Sequence, residues 1–226
     1  MPVKAVLIDL DNTLYEYEKC NKPAVDAVIE ELSIETGKSK ELVKQVFDES
    51  RKKVKVELGD VAASHSRFLY FQKTIEALKG KTDIQLTEQL HDLFWNVYFE
   101  QMELYDGVID FFEYLKQNNI KIAIVSDLTV ELQFKKLIEL GVDKYIDFVI
   151  TSEESGREKP DKSIFLLSLD KLGCDKDDVI FIGDDLEKDI KGAENFGMRY
   201  IHVKDNFGDV LEAFKNLKAQ SSSDSE

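Results

Sequence analysis

Short, nearly unbroken apolar runs recur along the chain at Ala5 to Ile8, Ile120 to Val125, Phe148 to Ile150, Val179 to Ile182 and Tyr200 to Val203. Apolar runs without polar alternation predict strands buried on both faces. From Ile120 onward they alternate with helical patterns. Val130 to Leu140 interleaves Leu132, Lys136 and Glu139 with apolar Phe134, Leu137, Ile138 and Gly141, and Ile164 to Leu172 is amphipathic and ends at Gly173, a helix C-cap signal. This rhythm predicts an α/β fold, a Rossmann-like doubly wound parallel sheet covered by helices on both faces.

A long helical stretch interrupts the rhythm between the first and second runs. Pro23 is placed to open a helix carrying Val25, Val28, Ile29 and Leu32, and Ser39 to cap one carrying Leu42, Val43, Val46 and Phe47. Asp60 is placed to cap a third with Phe68, Phe71, Ile75 and Leu78, while Leu90, Leu93, Phe94 and Val97 mark a fourth. The pattern predicts a helical-bundle domain over 16–102, inserted into a core made of 1–15 and 103–217. The polar end, 218–226, has nothing to bury and is expected to be disordered.

Composition narrows the function classes. The chain has 226 residues, 43% of them hydrophobic, enough for a sizeable core. A formal net charge of −15 would repel DNA, RNA and anionic membranes, so neither nucleic acid nor membrane is expected as a partner. Two cysteines, Cys20 and Cys174, fit neither a disulfide framework nor a zinc site. No segment reads as a leader or membrane span, and a cytoplasmic monomer or homodimer is expected.

In an open parallel sheet, ligands bind beyond the carboxyl ends of the strands. Asp9 and Asp11 follow the first run, Ser126 and Asp127 the second, Thr151, Ser152 and Glu153 the third, and Gly183, Asp184 and Asp185 the fourth. Carboxylates crowded into one crevice repel one another unless protons or a cation neutralise them. Oxygen ligands without His or Cys favour Mg²⁺ over zinc, and Mg²⁺ commonly serves a phosphorylated ligand. Lys159, in "GREKPD", is placed to point an ammonium at a phosphate.

With these residues in place, the chain resembles the haloacid dehalogenase superfamily of hydrolases, most of which are Mg²⁺-dependent phosphatases. Four motifs occur in order: "DLDNTL" from Asp9 to Leu14, "IVSD" ending in Ser126 and Asp127, "KPD" at Lys159, and "GDDLEKD" from Gly183 to Asp189. A helical insertion just after the first motif resembles the superfamily's helical-cap subclass. The second motif departs from the pattern: many relatives follow the hydroxyl residue with Asn-Gly, where this chain has Asp127 and Leu128.

The resemblance implies roles. Asp9 would be the nucleophile that forms an aspartyl phosphate, and Asp11 the general acid and base. Mg²⁺ would be held by Asp9, the Asp11 carbonyl and Asp184, with Asp185 and Asp189 supporting that shell. Ser126, Asp127 and Lys159 would form the phosphate site, with Asn12 and Thr13 shaping the turn. The cap would read the leaving group, with His65 and Arg67 as candidates, or as solvent-facing positions of an amphipathic helix. Phe94, Trp95 and Tyr98 read as core, and His91 and His202 as structural.

The expected function is hydrolysis of a small phosphorylated metabolite, a nucleotide monophosphate or sugar phosphate. A phosphomutase retains the same motifs. A 2-haloacid dehalogenase would have no use for Asp11 or Asp184, and a non-enzymatic binding module predicts loss of a catalytic acid.

Overall fold

The structure is a computed structural model and describes residues 3–204 and 206–223. In chain order, strand β1 (Ala5–Ile8) is followed by helices α1 (Tyr17–Thr36), α2 (Lys40–Leu58), α3 (Arg67–Lys79) and α4 (Ile84–Glu100). Then come α5 (Val108–Gln117), β2 (Lys121–Ser126), α6 (Val130–Glu139), β3 (Phe148–Thr151) and the single turn α7 (Ser152–Ser155). The chain closes with α8 (Lys162–Leu172), β4 (Val179–Gly183), a π-helical turn at Leu186–Ile190, α9 (Lys191–Phe196), β5 (Arg199–His202) and α10 (Val210–Ser223). It divides into two compact units, one of 1–16 with 103–226, the other Tyr17–Met102.

In the first unit the five strands form one sheet in the order β3-β2-β1-β4-β5, every neighbouring pair parallel. Central β1 pairs on both edges, Ile8 standing beside Ile124 and Ile182, and all four of its residues are buried. Burial on both faces explains why the strands read as unbroken Val, Ile, Leu and Ala. Ala5, Leu7, Ala123, Val125 and Phe181 pack with Ile164, Phe165 and Leu172 of α8 and Ala193 of α9. Their neighbours Val6, Ile8, Ile122 and Ile124 alternate to the opposite face and are also fully buried. Each such aliphatic side chain contributes roughly 1.5–3 kcal/mol by leaving water. Strand order fixes the reactive edge: the chain leaves β1 toward β2 and β3, then returns to β4 on the other side, opening a crevice at the carboxyl ends.

The second unit packs α1 on α4, α2 on α3 and α3 on α4. Leu90, Phe94 and Tyr98, four residues apart on α4, are fully buried, and Phe94 stacks against Tyr98 with ring centroids 5.7 Å apart. Among the described residues no helix is long and apolar enough to cross a membrane.

Several elements differ from the sequence expectation. Helix α1 begins at Tyr17 and runs through Pro23. Cys20, Ala24, Val28 and Leu32, spaced by four, form one buried stripe, and that burial carries the helix past a residue with no N–H to give. Ser39 does cap α2, accepting from the Leu42 N–H at 3.3 Å, although Leu42 itself is exposed. Ser66, not Asp60, caps α3, because a 3₁₀ turn at Ala62–His65 separates Asp60 from the helix and Ser66 accepts from the Leu69 N–H. Helix α10 continues through Ser223, beyond the expected start of the tail at 218, since extending a formed helix adds a backbone bond per residue and no breaker intervenes. Residues 224–226 of that tail lie outside the described residues.

The missing backbone bond in α1 has a measurable cost. Proline in a helix interior is about 3 kcal/mol worse than alanine, offset by roughly 0.4–1 kcal/mol through the unfolded chain. Pro23→Ala is therefore expected to stabilise the protein by about 2 kcal/mol in urea unfolding.

Candidate active site

The loop after β1 is shaped by its own backbone. The Asp9 N–H donates to the Ile182 carbonyl at 2.9 Å, extending the β1–β4 ladder by one residue and fixing where its carboxylate starts. The N–H groups of Thr13 and Leu14 then both turn back to the Leu10 carbonyl, with Asn12 at φ 67°. Asparagine tolerates that left-handed conformation. The turn brings the buried Thr13 hydroxyl to 3.2 Å from both Asp9 Oδ2 and Asp184 Oδ1.

Lys159 meets the same group from the other side. Its ammonium donates to Asp9 Oδ1 at 2.5 Å and to the Val125 carbonyl at 3.0 Å, and pairs with Asp189 at 2.8 Å. Lys159 is 3% exposed, Asp9 6% and Asp189 1%, so these charges face one another out of water. Burial pushes the Asp9 carboxyl well above the usual carboxylate range; Lys159 opposes that shift and Asp189 adds to it. Asp184 rises to about 6, through burial and then the nearby Asp189. Burial disfavours the Lys159 ammonium, but Asp189, Asp9 and Asp127 outweigh it and hold it firmly protonated.

One ammonium thus faces more negative charge than it can balance. Asp9, Asp184 and Asp189 each offer a carboxylate oxygen within 4.8 Å of the others, a set that could hold a metal ion. The donors are all oxygens, which suits a hard divalent cation. Asp189 therefore belongs to the central cluster rather than to its surroundings. Asp185 does not: its carboxylate caps the turn at Leu186–Ile190, accepting from the N–H groups of Glu187 and Lys188. A helix-type N-terminus holds that side chain, while the Asp185 backbone N–H donates to Asp189 Oδ2 at 3.1 Å and braces the cluster through the main chain.

Asp11 is held apart from the cluster. Lys136 Nζ lies 2.6 Å from its Oδ1 and 2.9 Å from its Oδ2, and the Tyr15 hydroxyl also donates to Oδ1. Burial alone would raise this carboxyl, but the Lys136 ammonium reverses the shift and holds it below its ordinary range. Tyr15 is fully buried and belongs to this contact.

At the end of β2, Ser126 is 1% exposed, and its hydroxyl oxygen accepts from Gln133 Nε2 at 2.6 Å. The same amide donates to the Asp127 carbonyl, which fixes its orientation and leaves the Ser126 hydrogen for an acceptor such as a phosphate oxygen. The Asp127 carboxylate, expected at the phosphate site, instead accepts from Lys188 Nζ at 2.8 Å and from the Lys159 N–H at 2.9 Å. Lys188 also bonds the buried Glu158 at 2.9 Å. Leu128 has φ 141°, a conformation natural to glycine, at the position where the resemblance leads one to expect Gly. Ser152 and Glu153 brace this loop, taking the N–H groups of Leu128 and Val130, rather than adding to the crevice.

The remaining assignments change as well. Arg67 is neither solvent-facing nor open: it is 8% exposed, its guanidinium lies 4.9 Å from the Phe94 centroid, and it donates to Tyr17 Oη and the His65 carbonyl. His65 enters that contact only through its backbone. His202, expected to be structural, has Nε2 3.0 Å from the Asp184 carbonyl and donates to it in the Nε2–H tautomer. The sequence reading missed Gln133, Lys136 and Lys188 as parts of the site. Gln133 and Lys136 share a helical face with Leu137, an available signal, whereas Lys188 sat in plain view inside the fourth motif.

The parallel sheet holds its strand-end aspartate and buried lysine beyond the carboxyl ends of the strands, where α/β proteins bind their ligands. The chain belongs to the haloacid dehalogenase-like hydrolases, whose family pattern matches residues 3–197. It is 38% identical over 199 residues to the ribulose-1,5-bisphosphate 5-phosphatase of Halopiger xanaduensis, covering 87% of this chain and 83% of that protein. It is 30% identical over 207 residues to the glyceraldehyde 3-phosphate phosphatase of Methanopyrus kandleri, covering 89% and 84%. The crystal structure of a phosphatase of this superfamily from Thermococcus onnurineus superposes with a TM-score of 0.71 at 26% identity, covering 89% of this chain and 86% of that one.

The close fit at the fourth motif is testable. A Cβ on Gly183 would lie 2.3 Å from Asp189 Oδ2 and 2.8 Å from its Cβ, and Asp189 is buried with no room to retreat. Gly183→Ala is expected to destabilise the fold by about 1–3 kcal/mol and to lower phosphatase activity by displacing Asp189; thermal unfolding and initial rates check both.

Proposed function

We propose that this protein is a Mg²⁺-dependent phosphatase acting on the terminal phosphate of a small sugar phosphate through an aspartyl phosphate on Asp9. The observation that carries this reading is the Asp9 carboxylate at the end of β1, gripped by Lys159 and Thr13 and facing Asp184 and Asp189. In the first step an Asp9 oxygen would attack phosphorus in line, the bond to the leaving oxygen would break, and Asp11 would give that oxygen a proton. In the second, water would attack the same phosphorus, Asp11 would take the water proton, and the Asp9 carboxylate would be restored. The Lys136 contact favours the ionised form of Asp11, which suits the second step, so Asp11 would need to take up a proton before the first. Ser126 and Lys159 would hydrogen-bond the non-reacting phosphate oxygens.

Asp9, Asp184 and Asp189 would hold the cation, with the Asp11 carbonyl as a further oxygen. Bound there, a divalent cation would offset the repulsion between Asp9 and the substrate's phosphate. For the substrate, the support is chemical: the relatives are named for a 5-phosphate and a 3-phosphate of short sugars, both esters of a terminal carbon. Asp127 does not oppose a polyanionic substrate, because Lys188 balances its charge.

Two experiments test the reading. Phosphate release from p-nitrophenyl phosphate and from a panel of sugar phosphates and nucleotides should require Mg²⁺, stop with EDTA, and fall at least about 10³-fold in Asp9→Asn. Activity surviving EDTA or Asp9→Asn would overturn the mechanism, and nucleotides outperforming every sugar phosphate would overturn the substrate class. Because Asp184 titrates near 6 without metal, protons compete with the cation below that pH. The rise in melting temperature on adding Mg²⁺ should be larger at pH 7.5 than at pH 5, and smaller at both in Asp184→Asn.

A further inference from the structure

Helix α6 turns a polar stripe toward the sheet. Gln133, Lys136, Leu137 and Leu140 are buried along one face, while Phe134 and Ile138 stand 49% and 65% exposed. Exposing a Phe and an Ile while burying an amide and an ammonium runs against the usual sorting of side chains. Taking an ammonium out of water costs several kcal/mol unless it is paired with good geometry. What Lys136 touches must therefore offset its burial.

It touches Asp11 on both carboxylate oxygens, at 2.6 and 2.9 Å, with the Tyr15 hydroxyl on Oδ1 and the Tyr15 ring centroid 6.0 Å from the ammonium. A carboxylate bound through both oxygens and a third donor has little freedom to rotate. One turn earlier on the same helix, Gln133 grips the Ser126 hydroxyl and the Asp127 carbonyl. A single rigid element thus reaches the ends of both β1 and β2. Lys159 serves Asp9 and Asp189, whereas Asp11 has a cation of its own, which keeps its carboxylate out of the group that could hold a metal.

We infer that Lys136 is a positioning residue for phosphoryl transfer: anchored on α6, it fixes the Asp11 carboxylate relative to the Ser126 hydroxyl that Gln133 fixes from the same helix. Lys136 itself moves no proton and touches no substrate. The inference rests on the reading of Asp11 as proton carrier given above. Misplacing a reacting group by about 1 Å costs on the order of 10²-fold in rate.

The test is a double-mutant cycle of Lys136→Met and Asp11→Asn, with kcat, KM and inhibition by inorganic phosphate measured on p-nitrophenyl phosphate and on glyceraldehyde 3-phosphate. Lys136→Met is expected to lower kcat by about 10- to 100-fold on both substrates, with KM and phosphate inhibition changed less than about threefold. In the Asp11→Asn background the same substitution should change kcat less than about twofold, because its target is gone. An equal loss in both backgrounds, or wild-type kcat in Lys136→Met, overturns the positioning role. Wild-type turnover in Asp11→Asn alone would instead overturn the role given to Asp11, and this inference with it. Should Lys136→Met lose the native circular dichroism spectrum, Lys136→Ala, which likewise removes the donor, carries the same cycle and the same outcomes.

Discussion

The Lys159 ammonium lies 2.5 Å from Asp9, 2.8 Å from Asp189 and 3.0 Å from the Val125 carbonyl, so one charge ties together the ends of β1 and β2 and the segment after β4. Every group it meets is buried or belongs to a buried strand. Taken away, it would leave two carboxylates out of water without a partner, a defect that typically costs about 3–5 kcal/mol. The loops around it depend on the same placement. Its own N–H is fixed by Asp127, Asp127 by Lys188, and Lys188 by Glu158, so the segments after β2, β3 and β4 share one chain of charged contacts.

An acidic chain needs such local sorting of charge. With a net charge of −15, acids outnumber bases across the whole protein, yet at the strand ends each carboxylate has been given a specific neighbour. Asp11 has Lys136, Asp127 has Lys188, and Asp9 shares Lys159 with Asp189. Asp184 has only the Thr13 hydroxyl as a side-chain hydrogen-bond partner among the described contacts, and its carboxyl is the one raised to about 6. The incomplete balance therefore sits on Asp184, one of the three carboxylates that could hold a metal ion.

Much of this was legible in the sequence, and the part that was not has a common cause. Strands such as Ala5–Ile8 could be read because burial on both faces leaves an apolar run that resembles nothing else. Asp9 and Asp184 could be placed together because they directly follow β1 and β4 at the edge where ligands bind, and Lys159 because of the Lys-Pro-Asp run it opens. The buried face of helix α6 could not: its apolar residues admit two phases, and the usual preference chooses the one that buries Phe134 and Ile138. The structure takes the other, because Asp11 and Ser126 need partners that only a polar face can supply. How Asp185 meets the cluster was hidden for a related reason, since a carboxylate beside a helix start and one beside a metal look alike until the N–H groups it accepts are seen. Arg67 failed differently, because nothing in a linear pattern shows a guanidinium enclosed by aromatic rings.

The central place of β1 also bears on how the protein is made. Among the described strands this one is made before the others, yet one of its two edges must wait for β4, about 170 residues further along the chain. Until then an apolar strand with an open edge is exposed to pairing with the wrong partner. The acids that follow it, Asp9 and Asp11, are charged throughout that interval and act as gatekeepers against such pairing. Charge at the end of an apolar strand thus disfavours mispairing of the chain before its partners arrive.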